Sequence, residues 1–145
     1  MIAVDTNVLV YAHREDSPQH RRALAALESL ADDRHGWSVP WPCVHEFLAI
    51  VTHPRIFQPP TEMDAALEAV DDLQNLPGVR LLTETPDHAQ VLGTLLTDSG
   101  AVGPKVHDAR IAAICIAHGV SELWTADRDF SLFPQLRTRN PLVGR

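Results

Sequence analysis

An α/β sandwich, with a short and mostly parallel central sheet covered by helices on both faces, is the fold class this sequence predicts. Three observations carry that expectation. Short runs rich in Val, Ile, Leu and Trp alternate with longer segments of helical period. Pro and Gly punctuate nearly every junction between them, and no repeat or low-complexity tract interrupts the alternation. At 145 residues and 45% hydrophobic composition, the chain has the size of a single domain over residues 1–145 with one substantial core.

Ile2 to Asp5 reads as a short buried strand with Asp5 at its end, and Asn7 to His13 as the helix that follows. The Asp16-Ser17-Pro18 group breaks that helix. Ser17 is expected to cap the next one, with Pro18 at its first position and Leu24, Leu27 and Leu30 on its buried stripe. Trp37 to Val39 suggests a second strand. Pro42 opens a helix with Val44, Phe47, Leu48 and Val51 inward, which His53-Pro54 ends. After the loop at Pro59-Pro60, Thr61 is expected to cap a helix from Glu62 to Leu76. Val79 to Thr83 reads as a third strand, and Pro86 begins a helix reaching about Asp98. Gly100 and Gly103-Pro104 form a loop before an apolar helix, Asp108 to His118, that Gly119 terminates. Glu122 to Thr125 makes a fourth strand, and Phe130 to Phe133 a helical turn before a last edge strand.

Composition narrows the function. A net charge of -7 argues against a protein that coats nucleic acid by bulk attraction, though acids gathered at a metal site contribute to that total. Glu62, Asp64, Glu68, Asp71 and Asp72 form an acidic stretch, whereas Arg128 to Arg145 holds four Arg against one Asp. No apolar run approaches the roughly 20 residues that cross a bilayer, and the start lacks the pattern of a signal peptide. A cytoplasmic protein is expected, with Cys43 and Cys115 as buried free thiols.

Open α/β sheets place ligands beyond the carboxyl ends of their strands. Asp5 ends the first strand, Glu46 lies in the first turns of the helix after the second, Asp108 begins the apolar helix, and Asp127 and Asp129 follow the fourth strand. Each has an ordinary alternative: Asp5, Asp108 and Asp127 can cap helices, and Glu46 can simply be solvated. Together they form a set that repels itself unless one member takes a proton or a hard cation neutralises it. An oxygen-only cluster of this kind suits Mg²⁺ or Mn²⁺. Thr6 and Asn7 then have a reason to stand in an apolar segment, orienting carboxylates or metal-bound waters.

Four segments carry a resemblance: "DTNVLVYAHRED" from Asp5, "WPCVHEFLAIVTHPRIF" from Trp41, "HDARIAAICIAHG" from His107 and "LWTADRDFSLFPQL" from Leu123. In this order they resemble the PIN-domain nucleases, and among those the VapC toxins of prokaryotic toxin–antitoxin pairs. The resemblance implies a PIN-like fold and a catalytic quartet at Asp5, Glu46, Asp108 and Asp127. It also implies supporting positions at Thr6, Asn7, Thr125 and Asp129. The implied activity is RNA cleavage dependent on Mg²⁺ or Mn²⁺, with Asp5, Asp108 and Asp127 as metal ligands. Glu46 and Asp127 would orient or deprotonate a water, leaving a 5′-phosphate and a 3′-hydroxyl. The implied partners are a VapB-like antitoxin, the RNA substrate and a second copy of the chain.

Arg14, Arg110 and Arg128, together with Arg55 and the tail arginines, are candidates to contact RNA phosphates, against the alternative of ordinary solvated or paired side chains. Trp41 and Trp124 are expected in the core rather than stacking on bases. His45-Glu46 does not make a His-Glu-x-x-His zinc motif, since position 49 is Ala and the next His is His53. A phosphatase of the haloacid-dehalogenase type also begins with an Asp after strand one, but it wants a second Asp where this chain has Asn7. A non-catalytic RNA- or protein-binding module is the remaining rival, and the full set of acids argues against it.

Overall fold

The computed structural model describes residues 1–144. The first strand, β1 (Ile2–Val4), is followed by helices α1 (Thr6–His13) and α2 (His20–Ala31). Then come β2 (Trp37–Pro40), α3 (Trp41–Val51), α4 (Met63–Gln74) and β3 (Val79–Leu82). The chain continues through α5 (His88–Ser99), α6 (Lys105–Ala117), β4 (Glu122–Trp124), a 3₁₀ turn at Arg128–Leu132 and β5 (Thr138–Arg139). The strands form one sheet in the order β3-β2-β1-β4-β5, and every pairing is parallel.

This order explains the layers. Two crossovers move from β1 outward to β3, so their right-handedness places α1 to α4 on one face. The next crossover returns to β4, so α5 and α6 cover the opposite face. Packing agrees: α1 lies against α2 and α3, α3 against α4, and α5 against α6. Helix α6 buries Ala109 and every residue from Ile111 to Cys115, nearly all the way round, as a helix enclosed by its neighbours must. Trp37, Val39, Val4 and Leu123 fill the sheet's interior. Trp37 satisfies its indole N–H on the Pro77 carbonyl at 3.0 Å. Close strand entry requires two glycines: a Cβ on Gly36 would stand 3.0 Å from the Gly78 carbonyl, and both have positive φ.

Several helix starts differ from the sequence expectation. Ser17 does not cap α2; its hydroxyl accepts from the Gln19 N–H at 3.1 Å, so Ser17-Pro18-Gln19 forms a turn and the helix starts at His20. Thr61 does not cap α4, because His13 and Arg14 already engage its hydroxyl. Helix α6 begins three residues before Asp108, which therefore lies in its first turn with a side chain free for other work. Leu24 is 40% exposed, and Ala23 and Ala26 take its place beside Leu27 and Leu30 on the buried face. Both cysteines are free and buried, as expected. No helix among the described residues is long and apolar enough to cross a membrane.

Candidate active site

Strand order reverses between β1 and β4, and the crevice at such a reversal is where open α/β sheets hold ligands. Asp5 leaves β1 at this point, its N–H donating to the Trp124 carbonyl at 3.0 Å. The residue is 4% exposed, and both carboxylate oxygens have partners. Thr125 Oγ1 donates to Oδ2 at 2.7 Å, and the Cys43 thiol donates to Oδ1 at 3.4 Å. Burial raises the Asp5 carboxyl above its ordinary range; hydrogen bonds from Thr125, the Thr6 backbone and Cys43 oppose that rise, and the charge of Glu46 adds to it.

The supporting polar residues each have a visible task. Thr6 Oγ1 donates to Glu46 Oε2 at 2.8 Å, holding the α3 carboxylate against the start of α1. Asn7 Oδ1 accepts from the Ala126 N–H at 3.2 Å, tying that start to the segment after β4. Thr125 Oγ1, while donating to Asp5, also accepts from the Asp127 N–H at 2.9 Å. Asp127 then caps the 3₁₀ turn by accepting from the Asp129 N–H at 2.8 Å. Asp127 therefore keeps the capping role its sequence position allows while its carboxylate also joins the cluster.

Asp108, Asp127 and Asp129 each present a ligand atom within 4.8 Å of the other two. Asp129 thus stands in the tightest acidic group, whereas Asp5, a predicted metal ligand, lies outside that group, near enough for its charge to act on Asp108. The Asp108 carboxyl is pushed up to about 6, first by desolvation and then by the charges of Asp127, Asp5, Asp129 and Glu46. Four other acids thus lie near enough for their charges to bear on Asp108. The Lys105 ammonium, 3.4 Å from Asp129 Oδ1, lies at the cluster's rim.

Among the candidate RNA contacts, Arg14 is engaged within the protein. Its side chain is 12% exposed and pairs with Asp16 through both Nε (2.9 Å) and Nη2 (2.7 Å). It also donates to Thr61 at 3.2 Å and lies 4.4 Å from the Phe57 ring centroid. A guanidinium so occupied ties two loops together. Arg110 is held by Glu84 through Nε at 2.8 Å and Nη2 at 2.7 Å. Arg128 is exposed beside Asp127 and has no carboxylate partner among the described residues. Trp124 is buried, its indole N–H on Glu122 at 2.9 Å, as expected of a core residue. Trp41 is only half-buried, with its ring 5.9 Å from that of His45.

The Cys43–Asp5 contact had no sequence signal, because a cysteine in an apolar helix reads as core. Burial pushes both thiols up, Cys43 well above its ordinary value and Cys115 to about 12. On the α1–α4 face, the helices enclose an apolar groove of about 290 Å³. Leu9, Ala12, Leu24, Leu27, Phe47 and Leu73 are among its lining residues, and Asp72 stands on its wall.

A parallel sheet with acids converging at its switch point defines a nuclease-like α/β domain, and the comparisons give it a family. Residues 2–136 match the PIN domain. VapC ribonuclease Mb2897 of Mycobacterium bovis is 37% identical over 145 residues, covering 100% of this chain and 98% of the relative. Ribonuclease VapC48 of Mycobacterium tuberculosis is 30% identical, covering 97% of each. The chain belongs to the VapC ribonucleases of the PIN-domain family. The fold agrees with solved structures: VapBC2 from Rickettsia felis, bound to a promoter DNA fragment, superposes with a TM-score of 0.71 at 20% identity, covering 97% of this chain and 98% of that one. VapC20 of Mycobacterium tuberculosis, a Sarcin-Ricin loop cleaving toxin, superposes with a TM-score of 0.64 at 17% identity, covering 90% and 93%.

Proposed function

We propose that this chain is a metal-dependent endoribonuclease, the toxin of a VapBC-type pair, acting in the cytoplasm and held inactive by a cognate VapB-like antitoxin. The observation that carries the catalytic part is the convergence of Asp5, Glu46, Asp108, Asp127 and Asp129 at the β1–β4 switch point. Their donors are all carboxylate oxygens, and their mutual repulsion, visible in the raised Asp108 carboxyl, is what a divalent cation relieves. The residues therefore fit Mg²⁺ or Mn²⁺, held by Asp5, Asp108 and Asp127 with Asp129 beside them. When bound, such an ion polarises a phosphodiester and makes a water more acidic.

The chain's own residues do the rest. Thr125 and Thr6 fix Asp5 and Glu46 in place before substrate arrives, so little reorganisation is left for the reaction. Glu46 and Asp127 orient the attacking water and take its proton as its oxygen bonds to phosphorus. The bond from phosphorus to the 3′-oxygen breaks, and that oxygen takes a proton from solvent. The products are a 5′-phosphate and a 3′-hydroxyl. Arg128 meets the RNA backbone at the rim. Asp108→Asn and Asp5→Asn, each still folded, are expected to lose metal-dependent cleavage of an RNA panel by at least about a hundredfold. Undiminished cleavage by both would refute the assignment.

The apolar groove of α1 to α4 supports the antitoxin part of this reading, since an exposed apolar concavity fits an amphipathic partner segment. A structural neighbour from Klebsiella pneumoniae is described as a toxin–antitoxin complex, which supports a partner of that class. A homodimer follows from the family resemblance, and sedimentation of the purified chain tests it.

A further inference from the structure

Cys43 and Glu46 stand three residues apart on α3, so they share one face of that helix. Each reaches a successive residue at the end of β1: Cys43 Sγ to Asp5 Oδ1 at 3.4 Å, and Glu46 Oε2 to the Thr6 hydroxyl at 2.8 Å. The two rungs set the register of α3 against the site. From the other side, Thr125 Oγ1 donates to Asp5 Oδ2 at 2.7 Å. The Asp5 carboxylate is thus gripped at both oxygens, by a hydroxyl at one and a thiol at the other.

We infer that Cys43 is a positioning residue for RNA cleavage: its S–H fixes the plane of the Asp5 carboxylate. This rests on the reading of Asp5 as a residue that holds the cation. A thiol, though a weaker donor than a hydroxyl, still resists rotation of the carboxylate it bonds. Cys43 is fully buried and Asp5 nearly so, which leaves no ready route for water to replace the thiol. A methyl group at that point would strand Oδ1 without its donor.

The test uses the full chain with Cys43→Val, Cys43→Ala and Cys43→Ser. Mn²⁺ titration by calorimetry without RNA is combined with cleavage kinetics and the infrared S–H stretch. The wild type is expected to show two thiol bands, with the Cys43 band at lower frequency because of its carboxylate acceptor. Asp5→Asn should shift that band back. Cys43→Val and Cys43→Ala should bind Mn²⁺ about tenfold more weakly, the lower end of what losing a ligand's hydrogen-bonding partner costs. Their kcat should fall while KM for RNA stays, and Cys43→Ser, which keeps a donor, should recover most of both. Two coincident thiol bands, wild-type Mn²⁺ affinity in Cys43→Val and Cys43→Ala, or a Cys43→Ser as impaired as they are would each overturn the inference. Absence of Mn²⁺ binding in every variant, wild type included, overturns the functional reading beneath it as well. Tight Mn²⁺ binding indifferent to position 43 overturns this inference alone.

Discussion

Asp108 shows most directly what the cluster costs the protein before a cation arrives. Its carboxyl is raised from the ordinary 3.8 to about 6, so between those values the folded chain holds more protons than the unfolded one. Stability from this group is therefore present below about pH 4, falls as pH rises, and is gone above about pH 6. The buried Asp5 carboxyl is also raised, and its contribution has the same sign. In the presence of EDTA, Asp108→Asn should be more stable than the wild type at pH 7, by roughly 1 kcal/mol once solvent screening of this half-exposed group is discounted. The difference should vanish near pH 4, and thermal melts at the two pH values measure it. Thr125 makes the opposite case. Thr125→Val removes the donor to Asp5 Oδ2 and the acceptor for the Asp127 N–H, so it should destabilise by roughly 1–3 kcal/mol and lower kcat more than tenfold. A Thr125→Val enzyme with wild-type kcat would show that the threonine merely fills space.

Arg14 acts between elements. It lies just after α1 and joins that helix's exit to the loop between α3 and α4, through Thr61 and the Phe57 ring. Arg14→Ala should destabilise by roughly 1–2 kcal/mol from the lost cation–π contact and the buried stem, with RNA affinity unchanged. Arg128→Ala should do the reverse, leaving the melting curve in place, weakening RNA binding and reducing its salt slope by about one contact. Binding isotherms at several salt concentrations separate the two. The same region explains which features the sequence revealed. Strand and helix identities follow from periodicity and Pro/Gly punctuation, and they were legible throughout. Helix starts were less so, because Thr61 looks like a cap in sequence but gives its hydroxyl to His13 and Arg14 across 47 or 48 residues of chain. Asp108 was misplaced for a related reason: Lys105 to His107 extend α6 toward the cluster, where no local preference marks them as helical. Nor does sequence separate a thiol that touches Asp5 from one that is only buried.

At the scale of the molecule, the acids and the groove proposed for the antitoxin use different side chains. The acids gather beyond the strand ends at the β1–β4 switch point, with Glu46 contributed by α3, whereas the groove is lined by apolar side chains of α1 to α4. The acids were legible as a set because the family's motifs carry them in order. The groove was not, since Leu24 and Leu27 read alike in sequence and only packing separates the 40% exposed side chain from the 8% exposed one. With the antitoxin in the groove, as proposed, inhibition and cleavage answer to different substitutions. Leu24 is half-exposed on the groove wall and far from the acids in sequence, so a charged replacement there disturbs little of the core. Leu24→Arg should therefore fold and cleave RNA at the wild-type rate with Mg²⁺ present. It should also need at least about tenfold more antitoxin for half-inhibition, because a guanidinium on the apolar wall leaves the partner's apolar side chains facing a charge. Titrating the antitoxin against cleavage by both proteins reads the shift directly. Equal inhibition of the two would place the antitoxin elsewhere on the surface, and lost cleavage by Leu24→Arg would show that groove and acids are not independent.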